Sequence, residues 1–222
     1  MRYAFTKYQQ RFNLSIILTL FTLLILTQSA SAHHPFGGKT PSNLFEGFFS
    51  GLGHPIIGLD HFAFIIASGL LGTRFKQGFL IPIAFVVATM EGTGIHLQEI
   101  NLPLAEGIIA ASVIIFGGLL ALKNNPLFSS YISMIIVATV AMIAGVFHGY
   151  AYGEAIIGAE MNPLVAYLAG FATIQLLVAF AAFGIGKVIM EKLSSKSISI
   201  FRIVGLGITA VGLVFLGVSF SS

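Results

Sequence analysis

The side chains in this sequence that can do chemistry are few and of two kinds. Among 222 residues there are six His, eight Asp and Glu, and no Cys. Without thiolate, disulfides, Fe–S clusters, cysteine-ligated zinc and covalently attached c-type haem are excluded. What remains is imidazole nitrogen and carboxylate oxygen. That donor set suits borderline divalent ions such as Ni²⁺, Co²⁺ or Zn²⁺. It suits Cu(I) less well, and imidazole argues against Mg²⁺ or Ca²⁺. Ligand type alone does not choose among the borderline three.

The densest grouping is His54-Pro55-Ile56-Ile57-Gly58-Leu59-Asp60-His61. Pro55 suits the first turn of a helix, which puts His54 at its outer tip and Asp60 and His61 deeper. On a straight helix His54 and His61 share a face, about 20° apart around the axis, but lie about 10 Å apart along it. One ion with bonds near ~2.1 Å cannot reach both across that rise without distortion. Either Gly58 lets the helix unwind, or the two histidines are successive stations on an access path. The path is the reading taken forward, with His54 at the mouth and Asp60 and His61 at the site.

Further along, Glu91 precedes Gly92-Thr93-Gly94-Ile95-His96. An ideal helix sets Glu91 and His96 about 140° apart, which the two glycines would have to relax. His148-Gly149-Tyr150-Ala151-Tyr152-Gly153-Glu154 reads as a glycine-broken outer turn on which His148 and Glu154 converge. The bland account is a hydrogen bond to a neighbouring helix for Glu91 and a solvated loop for His148 and Glu154. Glu106 and Gln175 have weaker claims, since bonds between helices would account for them.

The elements that must hold these groups are apolar. Hydrophobic residues make up 56% of the chain and charged residues 9%, against roughly 25% charged in a soluble domain. Mean hydropathy is +0.95, and the apolar residues fall in blocks of about 20, the length of a bilayer-spanning helix. The expected fold is all-α and polytopic. Residues 1–32 read as a cleaved signal peptide, with Arg2, Lys7 and Arg11 before a short apolar run and Ala30-Ser31-Ala32 as the cleavage site. Residues 33–54 form a periplasmic arm and a short interfacial helix, where Asn43 and Glu46 have capping-box spacing. Residues 55–222 hold six transmembrane helices, near 55–73, 78–98, 104–122, 130–150, 163–186 and 200–220.

Charge orients them. Of the 11 Lys and Arg, three lie in the signal and one, Lys39, in the outer arm. The other seven, Arg74, Lys76, Lys123, Lys187, Lys192, Lys196 and Arg202, all fall on the cytoplasmic side, as the positive-inside rule requires. Every histidine then faces the outer half. Because the basic residues are scattered singly, no nucleic-acid partner is expected. Glycines within the spans suit close helix packing.

Cleavage after Ala32 would leave His33 with a free α-amino group, able to chelate an ion together with its own imidazole. The arm from His33 to Ser42 is about ten residues at ~3.3 Å each, long enough to fold back over the outer mouth.

The 54–61 string, a leader ending just before a histidine, the six-span plan, and the Glu91 and His148-Gly149 segments together resemble the HupE/UreJ family of bacterial membrane proteins. The likeness covers essentially the whole mature chain. It implies a multi-pass permease of the bacterial inner membrane carrying Ni²⁺ or Co²⁺ by facilitated passage; the donor set itself also admits Zn²⁺. The metal would be substrate, and no prosthetic group or enzyme activity is expected. The metal residues are then His33, His54, Asp60, His61, Glu91, His96, His148 and Glu154. Partners are the ion and the lipid bilayer, with a homo-oligomer left open. The competing reading is a haem- or quinone-binding electron carrier that uses the same histidines. A membrane metalloenzyme is a third, but there is no HExxH string. The orientation has a direct check: a cytoplasm-only reporter should give signal when fused at Lys123 or Lys196 and none at Asn101. The reverse pattern would overturn it.

Overall fold

The computed structural model describes residues 39–123 and 126–220. The expected signal peptide, its cleavage site and His33 lie outside the described residues. Those described are helical: α1 Leu44–Ile57, α2 Leu59–Gly72, α3 Leu80–Leu97, α4 Ala105–Ala121, a 3₁₀ turn Pro126–Ser129, α5 Tyr131–Glu154, α6 Met161–Lys192 and α7 Ser194–Ser219. By length and apolar composition α3, α5, α6 and α7 can each cross a membrane, and α1–α2 make a fifth if counted as one broken span. At 17 residues α4 is apolar but shorter, so the expected set of six is met only to that extent.

The largest departure from expectation is at the first span. The helix does not begin at Pro55. Asn43 caps the Glu46 N–H at 2.9 Å, and the Glu46 carboxylate accepts from the Ser42 N–H at 2.8 Å and its hydroxyl at 2.9 Å. This reciprocal arrangement satisfies donors that a helix start leaves open and starts α1 ten residues before His54. Pro55 therefore lies inside α1, where it can make no bond back to the Gly51 carbonyl. The helix ends three residues later at Gly58, and α2 resumes turned by 80°.

Close packing at glycines sets the helix pairs. A Cβ on Gly145 would meet Phe85 and Ala88, one on Gly149 the Thr89 backbone, and one on Gly153 the His96 ring. Positions advance together on both helices, so α3 and α5 run parallel. α4 and α7 run antiparallel, with Gly212 against Ala110 and Ile114, and Gly205 against Gly117 and Ala121. α6 is long enough to carry both halves of the broken pair, with Gly51 of α1 against Tyr167 and Phe171, and Gly69 of α2 against Ala179 and Ala182. Many large apolar side chains, including Ile132, Ile136, Leu177, Ile203 and Leu206, are exposed, as a bilayer-facing surface requires.

The basic end has its own clasp. Arg74, in the loop after α2, donates to the carbonyls of Leu122 at 2.7 Å and Leu120 at 3.1 Å, which the end of α4 leaves unpaired. Its guanidinium also lies over the rings of Phe128 at 4.7 Å and Phe201 at 5.2 Å. Half-burial lowers its pKa from the usual arginine value, yet arginine keeps its charge.

Gly149→Ala should destabilise the fold by about 1–3 kcal/mol, because the new methyl meets backbone that cannot step aside. Gly118→Ala, which faces open space, should leave thermal unfolding in detergent unchanged or slightly raised. Equal midpoints for the two variants would refute this packing account.

Candidate metal centre

The break at Gly58 brings together what a straight helix would hold apart. The rings of His54 and His61 lie with centroids 6.0 Å apart, and each residue is 3% exposed. His54 is thus not at an outer mouth but buried beside His61. An imidazole bound at ~2.1 Å has its ring centre about 3.2 Å from the ion, so two rings on one ion reach at most ~6.4 Å. The observed separation falls inside that limit. Gly58 also makes room for the site, because a Cβ there would sit 2.5 Å from Cδ2 of His61. Asp60, in the first turn of α2 where a carboxylate suits the helix dipole, accepts the His61 N–H at 2.9 Å.

Three other helices close around these residues. His148 on α5 meets His61 with Nδ1 to Nδ1 at 2.7 Å, and its Nε2 lies 3.0 Å from the hydroxyl of Ser112 on α4. Tyr167 on α6 lies with its hydroxyl 3.1 Å from His54 Nδ1 and donates to the Tyr152 carbonyl at 2.8 Å. The Tyr152 ring stands 5.0 Å from that of His54 and 4.7 Å from that of His61. Its hydroxyl is buried without a hydrogen-bond partner among the described residues. Leaving such a group unsatisfied costs about 1–3 kcal/mol.

On one side the site is floored by aromatic rings. Phe64 and Phe85 pack on His148 at 4.9 and 5.3 Å, and Phe64 touches Phe85 and Phe116 at 4.5 Å each. Acid also lies near Asp60. Glu106, at the start of α4, is within electrostatic reach of both Asp60 and Glu154, and Glu106 and Glu154 are exposed. The arm before α1 reaches the same end, since the Thr40 hydroxyl donates to the Ile157 carbonyl at 3.1 Å.

The remaining expected residues are elsewhere. Glu91 is exposed on α3, because two residues on a helix turn about 200°, and Thr89 and Thr93 on either side of it are buried. His96 packs its ring on Tyr150 at 4.4 Å, with its Nδ1 buried and without a partner among the described residues. Its place is the α3–α5 seam rather than the cluster. Among the described residues no three His, Asp or Glu side chains are grouped to hold one ion, so no closed site of the structural-zinc kind is built from them. Sequence reasoning missed Ser112, Tyr152 and Tyr167. Tyr152 follows His148 by four residues, one helical turn, and that spacing could have found it.

If the Tyr152 hydroxyl faces the ion, Tyr152→Phe should leave the metal-free protein at least as stable in thermal unfolding, since a buried unpaired group is removed. It should also shrink the stabilisation that added Co²⁺ gives. Unchanged stabilisation by Co²⁺ would remove Tyr152 from the site.

Comparison with known proteins places this geometry in a lineage. The family model for "HupE / UreJ protein" matches residues 21–215. "Protein HupE" of Rhizobium leguminosarum bv. viciae is 29% identical over 173 residues, which is 77% of this chain and 83% of that protein. No solved structure matches the chain. The match of the family model over most of the sequence, motif and helices included, means that the chain belongs to the HupE/UreJ family.

Proposed function

We propose that this chain is a permease that passes a divalent transition-metal ion, Ni²⁺ or Co²⁺, across the bacterial inner membrane toward the cytoplasm. The observation that carries this is the approach of His54 and His61 to within one ion's reach at a helix break, between helices that face lipid outside. Ionisable groups are expensive at such depth and are kept for function. Family membership supports a transporter rather than an enzyme. In this reading α1–α2 count as one span and α4 as another, which gives six, and the mature N-terminus is periplasmic.

The path follows from the chemistry of the lining. A hydrated cation meets Glu106 and Glu154 first, then Asp60, where carboxylates lower its energy as water is shed. His54 and His61 then supply nitrogen. Two imidazoles with few other strong donors bind more loosely than a closed tetrahedral set, and passage requires that the ion can leave. Phe64 and Phe85 bar the way inward, so release needs their rings to move. Nothing in the sequence carries a nucleotide-binding signature, and passage by the ion's own gradient is the simplest drive. The electron-carrier reading fits the geometry less well. His61 and His148 leave no room between them for a haem, since their ring centroids are 4.8 Å apart and their Nδ1 atoms are bonded to each other at 2.7 Å.

Uptake of radioactive nickel or cobalt into sealed vesicles tests the proposal. His61→Ala and Asp60→Asn should lower uptake by more than the 10- to 100-fold typical of an outer-shell loss, with the protein still in the membrane. His54→Ala should join them, because that residue is buried beside His61. Normal transport by His61→Ala and Asp60→Asn would reduce the motif to a structural role.

A further inference from the structure

Gln175 lies near the middle of α6, fully buried, and has no part in the cluster around His54 and His61. Its amide makes one contact among the described residues, from Nε2 to the Thr89 hydroxyl on α3 at 3.3 Å. Its Oε1 is buried without a hydrogen-bond partner among them. Turning the amide over would not cure this. The Thr89 hydroxyl gives its only proton to the Val86 carbonyl at 2.7 Å, so its oxygen can only accept and must face the amide nitrogen. The oxygen of Gln175 is therefore the end left bare.

As glue between α3 and α6 this side chain is poor. One neutral contact at the long end of the hydrogen-bond range answers one of the four bonds an amide can make. Taking an amide out of water costs more than such a bond returns, and a leucine would fill the place without that cost. A buried polar group left unanswered calls for an occupant, and a carbonyl oxygen accepts only a proton donor or a cation. Position favours the cation. Tyr167, which touches His54, precedes Gln175 by eight residues, about 12 Å along α6 toward its basic end. Phe171, between them, packs its ring on Tyr152 at 5.4 Å and on Tyr167 at 5.5 Å, and Gln175 follows it by one turn on the same face. On α3, Thr89 stands one turn from Phe85, the ring that with Phe64 floors the centre.

We propose that Gln175 Oε1 is a second station for the ion: a neutral oxygen that takes the partly dehydrated divalent cation as it leaves the histidines. Thr89 is its positioning residue, since it holds the amide nitrogen and so keeps the oxygen turned to the ion. This rests on the metal-passage reading. Buried as it stands, the oxygen is reached when the rings of Phe64 and Phe85 move, the same movement that releases the ion. A single uncharged oxygen holds a divalent ion weakly, as a station on the way out must.

The test uses the full chain with Co²⁺ as the probe, in sealed vesicles for uptake and in detergent for binding. Gln175→Leu should lower uptake at saturating Co²⁺ by about 10- to 100-fold, the size of a lost contact to a charged group. Its Kd for Co²⁺ at the histidines, read from the Co²⁺ absorption spectrum, should match that of the parent, and its metal-free unfolding temperature should not fall. Thr89→Val keeps the shape, frees the amide to turn, and should lower uptake in the same way but by less. Gln175→Glu places a charged oxygen at the same spot and should bind an additional Co²⁺ per chain in equilibrium dialysis. Parental uptake by Gln175→Leu would overturn the proposal. So would a weakened Kd together with a lower unfolding temperature, which would make the amide interhelical glue. No additional Co²⁺ in Gln175→Glu would leave water as the occupant and overturn it as well. Failure of the permease reading would appear separately, as absence of uptake by the parent, because the Co²⁺ count in Gln175→Glu does not depend on uptake.

Discussion

At Gly58 the place of a side chain is taken by the imidazole of His61, whose Cδ2 would lie 2.5 Å from a Cβ. That exclusion couples the turn of the backbone to the position of the ring. The 80° change of direction there frees α2 from the axis of α1, so the rise of about 10 Å that a continuous helix would impose no longer separates His54 from His61. It also leaves a helix start beside the site, with Asp60 in its first turn. Nearly every other feature of the centre depends on this one crowded residue.

The surroundings must then satisfy polar groups far from water. Serine, threonine and tyrosine hydroxyls do this chiefly by bonding to backbone carbonyls, as in Ser112 to Ile109, Thr93 to Gly149 and Tyr167 to Tyr152. Such bonds use the single hydroxyl proton and so leave each oxygen as an acceptor only. Direction is thereby forced on every nitrogen that touches them. The Tyr152 hydroxyl stands outside this scheme, buried without a partner among the described residues on a ring that packs against both imidazoles.

Holding five helices to this tolerance takes backbone contact. Gly149 on Thr89 and Gly92 on Val146 lock α3 to α5, which sets the depth of His148 and Tyr152 relative to α3. Gly51 on Tyr167 does the same for α1 and α6, placing the Tyr167 hydroxyl at His54. At the opposite end Arg74 ties the ends of α2 and α4 to the Phe128 and Phe201 rings. The glycines read from sequence as packing residues are thus also the means by which the hydroxyls reach the histidines.

What the sequence determined by itself was whatever depends on composition and neighbours along the chain. Apolar blocks named the helices, the charge pattern separated a basic end from an acidic and histidine-bearing one, Asn43 and Glu46 announced the start of α1, and the 54–61 string marked the centre. Helix periodicity could not place the break. Pro55 is compatible with a first turn and with a last one, and only the cap at Asn43, together with the packing of Gly51 on α6, decides between them. Nor could it tell which way Glu91 faces, since an apolar helix surrounded by lipid and protein has no polar side to betray its orientation. The roles of Ser112, Tyr152, Tyr167 and His148 were decided by tertiary structure alone. Each acts across a helix pair whose register is set by glycine contacts between distant segments, and a hydrogen bond of about 3 Å exists only once those registers are fixed.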